Sequence, residues 1–284
     1  MKAPLVLGIL AGILCSVLSA WAAEDYWTKI RELLPQVGKT EEGDRKLIQY
    51  MDTLSARQMI EAGRQCGSWV ETNTNTNQWF DAEPALGFFY EFYPAKTKLA
   101  DIRPLLDEMS DKKQALFWRE GLIHIVAVSW SSRLTDEKRL QVAHCIESIL
   151  LDKGDSLHLR VRLPLTIVNL LYGIQHARLQ CTTNIPTGDT FTNSVQRFIA
   201  GGVELFDNSE TPLELRKALL PRLALCVERG LPGSDRVREA IGQSLRNYKK
   251  YPQELWEPLA KSAKEMKLEN AEAVVQEMKN DGGK

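Results

Sequence analysis

From Tyr26 almost to the C-terminus, apolar residues recur at intervals of three and four, with hardly any stretch that alternates residue by residue. On a helix of 3.6 residues per turn this spacing lays a hydrophobic stripe along one side and leaves the other side polar. It predicts an all-α protein whose helices bury their stripes against one another. Tyr26, Ile30, Leu33, Leu34 and Val37 trace one stripe, and Leu47, Ile48, Met51 and Leu54 a second. Ser55 with Gln58 three residues later then forms a capping box for the helix that follows.

Further along, residues 112–132, 136–151, 156–180, 190–206, 211–229 and 235–248 read as consecutive helices, with final stretches at roughly 252–266 and 269–279. Thr135, Ser209 or Thr211, and Ser234 are the N-cap candidates. Gly154, Gly188 and the Gly230/Gly233 pair punctuate the series, and the polar end from Asp281 to Lys284 should fray. One segment carries the opposite signal. Leu157, Leu159, Val161, Leu163 and Leu165 alternate with polar residues and Pro164, which is a strand period. The same residues satisfy i, i+4 spacing, and the apolar run continues to Leu171, too far for an ordinary strand. The segment is therefore assigned to a helix kinked at Pro164.

Glu71 to Gln78 is a polar, Asn/Thr-rich run and reads as an exposed linker, the natural domain boundary. It separates an N-terminal helical cap, residues 23–70, from a repeat domain spanning 79–284. The repeat reading comes from an internal echo. Leu116-x-Trp118-Arg119-x₂-Leu122 matches Leu157-x-Leu159-Arg160-x₂-Leu163 and Leu213-x-Leu215-Arg216-x₂-Leu219. The first two arginines are 41 residues apart and the third lies 56 further on, the excess falling in a turn-rich segment from Thr182 to Thr190. Two-helix units of about 40–47 residues are typical of HEAT repeats, whose V-R-x₂-L core this pattern resembles. The resemblance covers residues of about 80–265. It implies an α-α superhelix of stacked antiparallel helix pairs, a solenoid whose long concave surface suits a protein or peptide partner.

Lys2, an apolar run from Leu5 to Leu18, and the exit Ala20-Trp21-Ala22 make a secretory signal peptide, with cleavage expected after Ala22. The mature chain is thus expected to be secreted or periplasmic, without stable membrane insertion. Cleavage would remove one lysine and no acid, leaving 35 basic against 37 acidic residues. That balance argues against nucleic acid as a partner, because phosphate binding calls for a clustered basic surface. Cys66, Cys145, Cys181 and Cys226 remain, enough for two disulfides in any of three connectivities, and too far apart for a structural zinc site.

Catalytic and cofactor motifs are missing from the sequence: there is no G-x-S-x-G elbow, P-loop or G-x-G-x-x-G. His144-Cys145 does not make a dyad, since neighbours on a helix point about 100° apart. No metal ligand set or cofactor is expected. Binding candidates come from two places. Glu120 and His124 share a helix face beside Trp118. An aromatic cluster, Trp79, Phe80, Phe88, Phe89, Tyr90, Phe92 and Tyr93, packs seven of the chain's 22 aromatics into fifteen residues. Its phenylalanines pair at i, i+4 as core residues do, whereas Trp79, Tyr90 and Tyr93 carry polar handles that suit a partner-facing surface. The functional expectation is an exported helical-repeat scaffold that binds a protein or peptide without catalysis. The alternative is an extracytoplasmic hydrolase or glycan-active protein using Glu120, His124 and an aromatic cleft.

Overall fold

A computed structural model describes residues 25–181, 190–269 and 271–282. The expected signal peptide and cleavage site, residues 182–189 with Gly188, Asn270, the side chains of Phe80, Asp81, Gln180 and Cys181, and the last two residues lie outside the described residues. The fold is all-α, and no strand occurs among the described residues. The chain divides into two compact units, Met1–Lys98 and Leu99–Lys284.

In the first unit, α1 (Tyr26–Leu33), α2 (Glu41–Thr53), α3 (Ala56–Asn73), the short α4 (Trp79–Ala82) and α5 (Gly87–Thr97) follow in order. The stripes read from the sequence become its core: α1 packs on α2 and α3, and α3 on α5. Trp27, Ile30, Met51, Met59 and Phe89 are buried at their centre. The Ser55/Gln58 capping box is formed in both directions, as the spacing predicts.

The run at 71–78 lies inside this unit and ends helices in place of linking domains. The hydroxyls of Thr72 and Thr74 and the amide of Asn73 donate to the carbonyls of Ser68, Trp69 and Val70. These bonds run back along the last two turns of α3, whose backbone ladder ends with Thr74 N on Val70 O. Asn75 then caps a 3₁₀ turn at Thr76–Gln78. Short polar side chains are enriched there because they complete a helix end. The division between units falls at Lys98 and Leu99, two consecutive non-glycine residues in the left-handed region, with φ of 50° and 52°.

The second unit is a series of helical hairpins. In order they are α6 (Arg103–Ser110) with α7 (Leu116–His124), α8 (Asp136–Leu151) with α9 (Leu157–Cys181), α10 (Thr190–Asp207) with α11 (Leu213–Glu228), and α12 (Asp235–Arg246) with α13 (Trp256–Glu265), closed by α14 (Ala271–Gly282). Helix α7 runs on into a π turn, Ile125–Ser129. Each hairpin packs on the next in two rows: α6, α8, α10 and α12 touch in succession, and so do α7, α9, α11 and α13. This arrangement is compatible with a helical repeat fold.

The echoed arginine explains the spacing. Arg119, Arg160 and Arg216 are all buried, and each is the fourth residue of its helix. Each donates Nε–H to the carbonyl ten residues before it, Arg119 to Met109 at 2.8 Å, Arg160 to Leu150 at 2.8 Å and Arg216 to Phe206 at 2.7 Å. Those carbonyls sit in the last turns of α6, α8 and α10, where no intrahelical donor is left and the helix dipole favours a cation. The pattern marks a second helix that caps the first of its own hairpin.

Junctions between hairpins differ. The guanidinium of Arg119 also forks onto Asp155 at 2.9 and 2.7 Å, in the turn before α9, with the two side chains only 3% and 2% exposed. Thr211 holds the corresponding place five residues before Arg216; its hydroxyl is buried without a hydrogen-bond partner and caps nothing. Ser234 also makes no side-chain cap, whereas Thr135 caps α8 as expected. Arg216 lies instead against Phe206 and Tyr251, whose rings stack 5.4 Å apart.

The ambiguous segment is helix throughout: α9 passes through Pro164 without interruption. Leu159, Leu163, Ile167, Val168, Leu171 and Ile174 are buried on one side, the 3.6 period of a helix packed on a core. No described helix is long and apolar enough to cross a membrane.

Candidate interaction surface

The side of α9 opposite that core is a continuous outward face. His158, Arg162, Leu165, Asn169, Tyr172, His176 and Leu179 follow one another at spacings of four, three, four, three, four and three. His158 is half-buried and the other six are exposed, Leu179 at 59% of its full area. Such a spacing drifts only about 20° per seven residues, so all seven side chains stay on one side of the helix. Leu157, Leu165, Tyr172 and Leu179 are four of the large exposed hydrophobics of this unit, and Val128 in the π turn after α7 is another.

Neighbouring helices hold parts of this face in place. Glu120 of α7 accepts from His158 Nε2 at 3.0 Å and from Arg162 Nη1, both on α9. Arg229, just after α11, donates to Asn169 Oδ1 at 2.8 Å and lies 4.6 Å over the ring of Tyr172. The carbonyls of Arg229 and Gly230 in turn accept from Gln175 Nε2. The seven-residue row is thus pinned from both sides, its apolar members facing out between polar ones.

Of the residues singled out in the sequence, Glu120 belongs to this site and its partners are His158 and Arg162, not His124. His124 is exposed one turn further along α7. Trp118 is fully buried and its indole N–H is bonded to Glu108 at 3.1 Å. Trp79 and Tyr93 are core residues of the first unit, Tyr93 stacked on Phe89 at 4.6 Å. Tyr90 is half-buried. Burial takes Trp79, Tyr93 and Trp118 off any partner-facing surface: large rings dominate cores for the same reason that they dominate interfaces.

One constellation had no sequence signal. His144 Nε2 lies 2.6 Å from Ser194 Oγ, a distance at which a base could activate a nucleophile. Ser194, however, is buried, and its hydroxyl donates to the Thr190 carbonyl at 2.6 Å, as a serine does inside a helix. Glu147, which would have to orient the imidazole, is gripped instead by Arg197 at 2.6 to 2.9 Å. The group is a polar seam between α8 and α10. Burial, and then the nearby Arg197 cation, push the His144 pKa below its usual value, while Glu147 partly offsets this. The folded state therefore takes up a proton less readily than the unfolded chain. Stability contributed at this site is fully present above about pH 6.5 and is lost as pH falls through the lower folded-state pKa. His144→Gln should accordingly lose less stability between pH 7.5 and 5 than the parent (roughly the range of histidine titration), measured by urea unfolding at each pH.

Cys66, Cys145 and Cys226 are free thiols. Burial pushes the thiols of Cys66 and Cys226 up to about 12, so neither is a nucleophile near neutrality. No group of three or more histidine, cysteine or acidic side chains suited to a metal ion exists among the described residues. Comparison with known proteins returns no match, whether to a family model, to a characterised protein or to a solved structure.

Proposed function

We propose that the Leu99–Lys284 unit is a HEAT-like α-solenoid of an exported protein, and that it binds a protein or peptide partner without catalysing a reaction. The observation that carries this reading is the outward face of α9. A helix whose inner side is fully committed to the core keeps three large apolar side chains, Leu165, Tyr172 and Leu179, in water at seven-residue spacing. Exposed apolar side chains aligned on one rigid element mark an interaction site more often than scattered ones do. The recurring arginine and the two-row packing of hairpins support the repeat reading, and the N-terminal sequence pattern supports export.

The test is capture from the exported fraction of the producing cell with the purified mature chain and with its Leu165→Glu/Leu179→Glu variant. Both substituted side chains are exposed, so the variant should keep the parent's far-UV circular dichroism and melting midpoint. The reading expects a specific partner whose recovery falls at least tenfold with the variant (about 1.4 kcal/mol per factor of ten). Equal recovery of the same proteins by both chains contradicts it. Mass determination of the mature chain checks cleavage after Ala22 in the same preparation.

A further inference from the structure

Resting on the binding reading above, we infer that the partner of α9 is an acidic amphipathic helix, seated along the row from His158 to Leu179. The alternating four- and three-residue spacing is the geometry of a coiled-coil seam, in which one helix receives the knobs of another. In this seam one layer is His158, Leu165, Tyr172 and Leu179, and the interleaved layer is Arg162, Asn169 and His176. The row from Leu165 to Leu179 is about 21 Å long at 1.5 Å per residue, room for two heptads of a partner helix. An extended strand has a two-residue period and would match neither layer.

Charge sets the partner's sign. Helix α9 carries no acidic residue over its 25 residues; of its three arginines, Arg160 is buried and Arg178 pairs with Asp136, leaving Arg162 on the row. Beside the seam, the Arg229 guanidinium contacts the amide of Asn169 and the ring of Tyr172, neither of which neutralises it. Glu120 is the acid that touches the row, and it is already bound to His158 and Arg162. A second copy of this chain is a poor occupant. Paired parallel in register, two such seams set Arg162 against Arg162 and bring no acid to meet Arg229. A helix with leucines in the apolar layer and carboxylates facing Arg162, Arg229 and His176 satisfies both layers.

The probe is a fluorescein-labelled peptide of roughly three heptads, leucine at every seventh position and glutamate in the interleaved layer and on its flanks. Its controls are a twin with every glutamate replaced by lysine and a version with two central prolines. Fluorescence anisotropy with the full mature chain should show the acidic helix binding at least tenfold more tightly than the lysine twin and than the proline version (a tenfold ratio is about 1.4 kcal/mol). Binding should weaken as salt rises to about 0.5 M, fall at least tenfold in Leu165→Glu/Leu179→Glu, and fall several-fold in Arg229→Gln. Equal binding of acidic and basic twins, or tighter binding of the proline version, overturns the inference. So does sedimentation showing that the chain pairs with itself through these residues. If the peptides fail while partner capture still depends on Leu165 and Leu179, the acidic-helix assignment falls and the binding reading stands; if capture also fails, both fall.

Discussion

Replacing Arg119 by alanine lowers the stability of the Leu99–Lys284 unit by about 3–5 kcal/mol, because it leaves a buried carboxylate without its cation. Arg119 and Asp155 are both almost wholly out of water and meet through two parallel N–H···O bonds. The same guanidinium satisfies the Met109 carbonyl at the end of α6, so one side chain ties a helix end, its own helix and the turn of the next hairpin. Lysine does not rescue the site, since a single ammonium lacks the fork that spans both oxygens and the carbonyl. The double variant Arg119→Leu/Asp155→Leu, which removes both charges, should be clearly more stable than Arg119→Ala, because no buried charge is left unpaired. Arg162→Ala gives the contrast. Its side chain is 61% exposed, and loss of its pairing with Glu120 should cost within about 1 kcal/mol. Urea unfolding of the four proteins checks the series. Equal, small effects of Arg119→Ala and Arg162→Ala would show that the buried fork does not hold the hairpins together.

Trp118→Ala should be nearly as damaging, at about 3–5 kcal/mol, by opening a large cavity in the core between α6 and α7. The ring is fully buried, and its indole N–H supplies a hydrogen bond to the buried Glu108. Trp118→Phe keeps most of the ring and removes that donor, so about 1–3 kcal/mol is expected. A core role and a ligand-contacting role separate cleanly here. If Trp118 faced a partner, alanine would weaken binding and leave unfolding unchanged. The expected outcome is the reverse: a large loss of stability, with unaltered affinity of the fraction that remains folded for the acidic helix.

The fold was legible because helical periodicity is a local property. The stripe in each helix was visible, and even the strand-like alternation at Leu157–Leu165 was resolved by the length of the apolar run. The position of the repeating arginine was visible as well, but its role was not, since the carbonyl it caps lies ten residues back across a turn. The Asn/Thr-rich run at 71–78 was read as a linker from its polarity, which side-chain caps of a helix end share with loops. Trp79, Tyr93 and Trp118 were candidates for a surface because composition does not say which way a ring points.

The face that now carries the functional proposal passed unnoticed for a related reason. Its apolar members, seven apart, were absorbed into the same hydrophobic run that builds the core. Only burial separates Leu165, Tyr172 and Leu179 from Val168, Leu171 and Ile174. Contacts such as Glu120 with His158 and Arg162, or His144 with Ser194, join residues 38 to 50 positions apart, and no spacing rule announces them.

Hydroxyl-radical footprinting of the unmodified protein, with and without the acidic helix, examines that face most directly, because both sides of α9 carry oxidisable side chains. Leu165, Tyr172, His176 and Leu179 should react rapidly and Leu171 and Ile174 slowly, and adding the peptide should protect the first group alone. Slow oxidation of Leu165, Tyr172 and Leu179 in the free chain, or protection that ignores the seven-residue phase, would contradict a binding seam on α9.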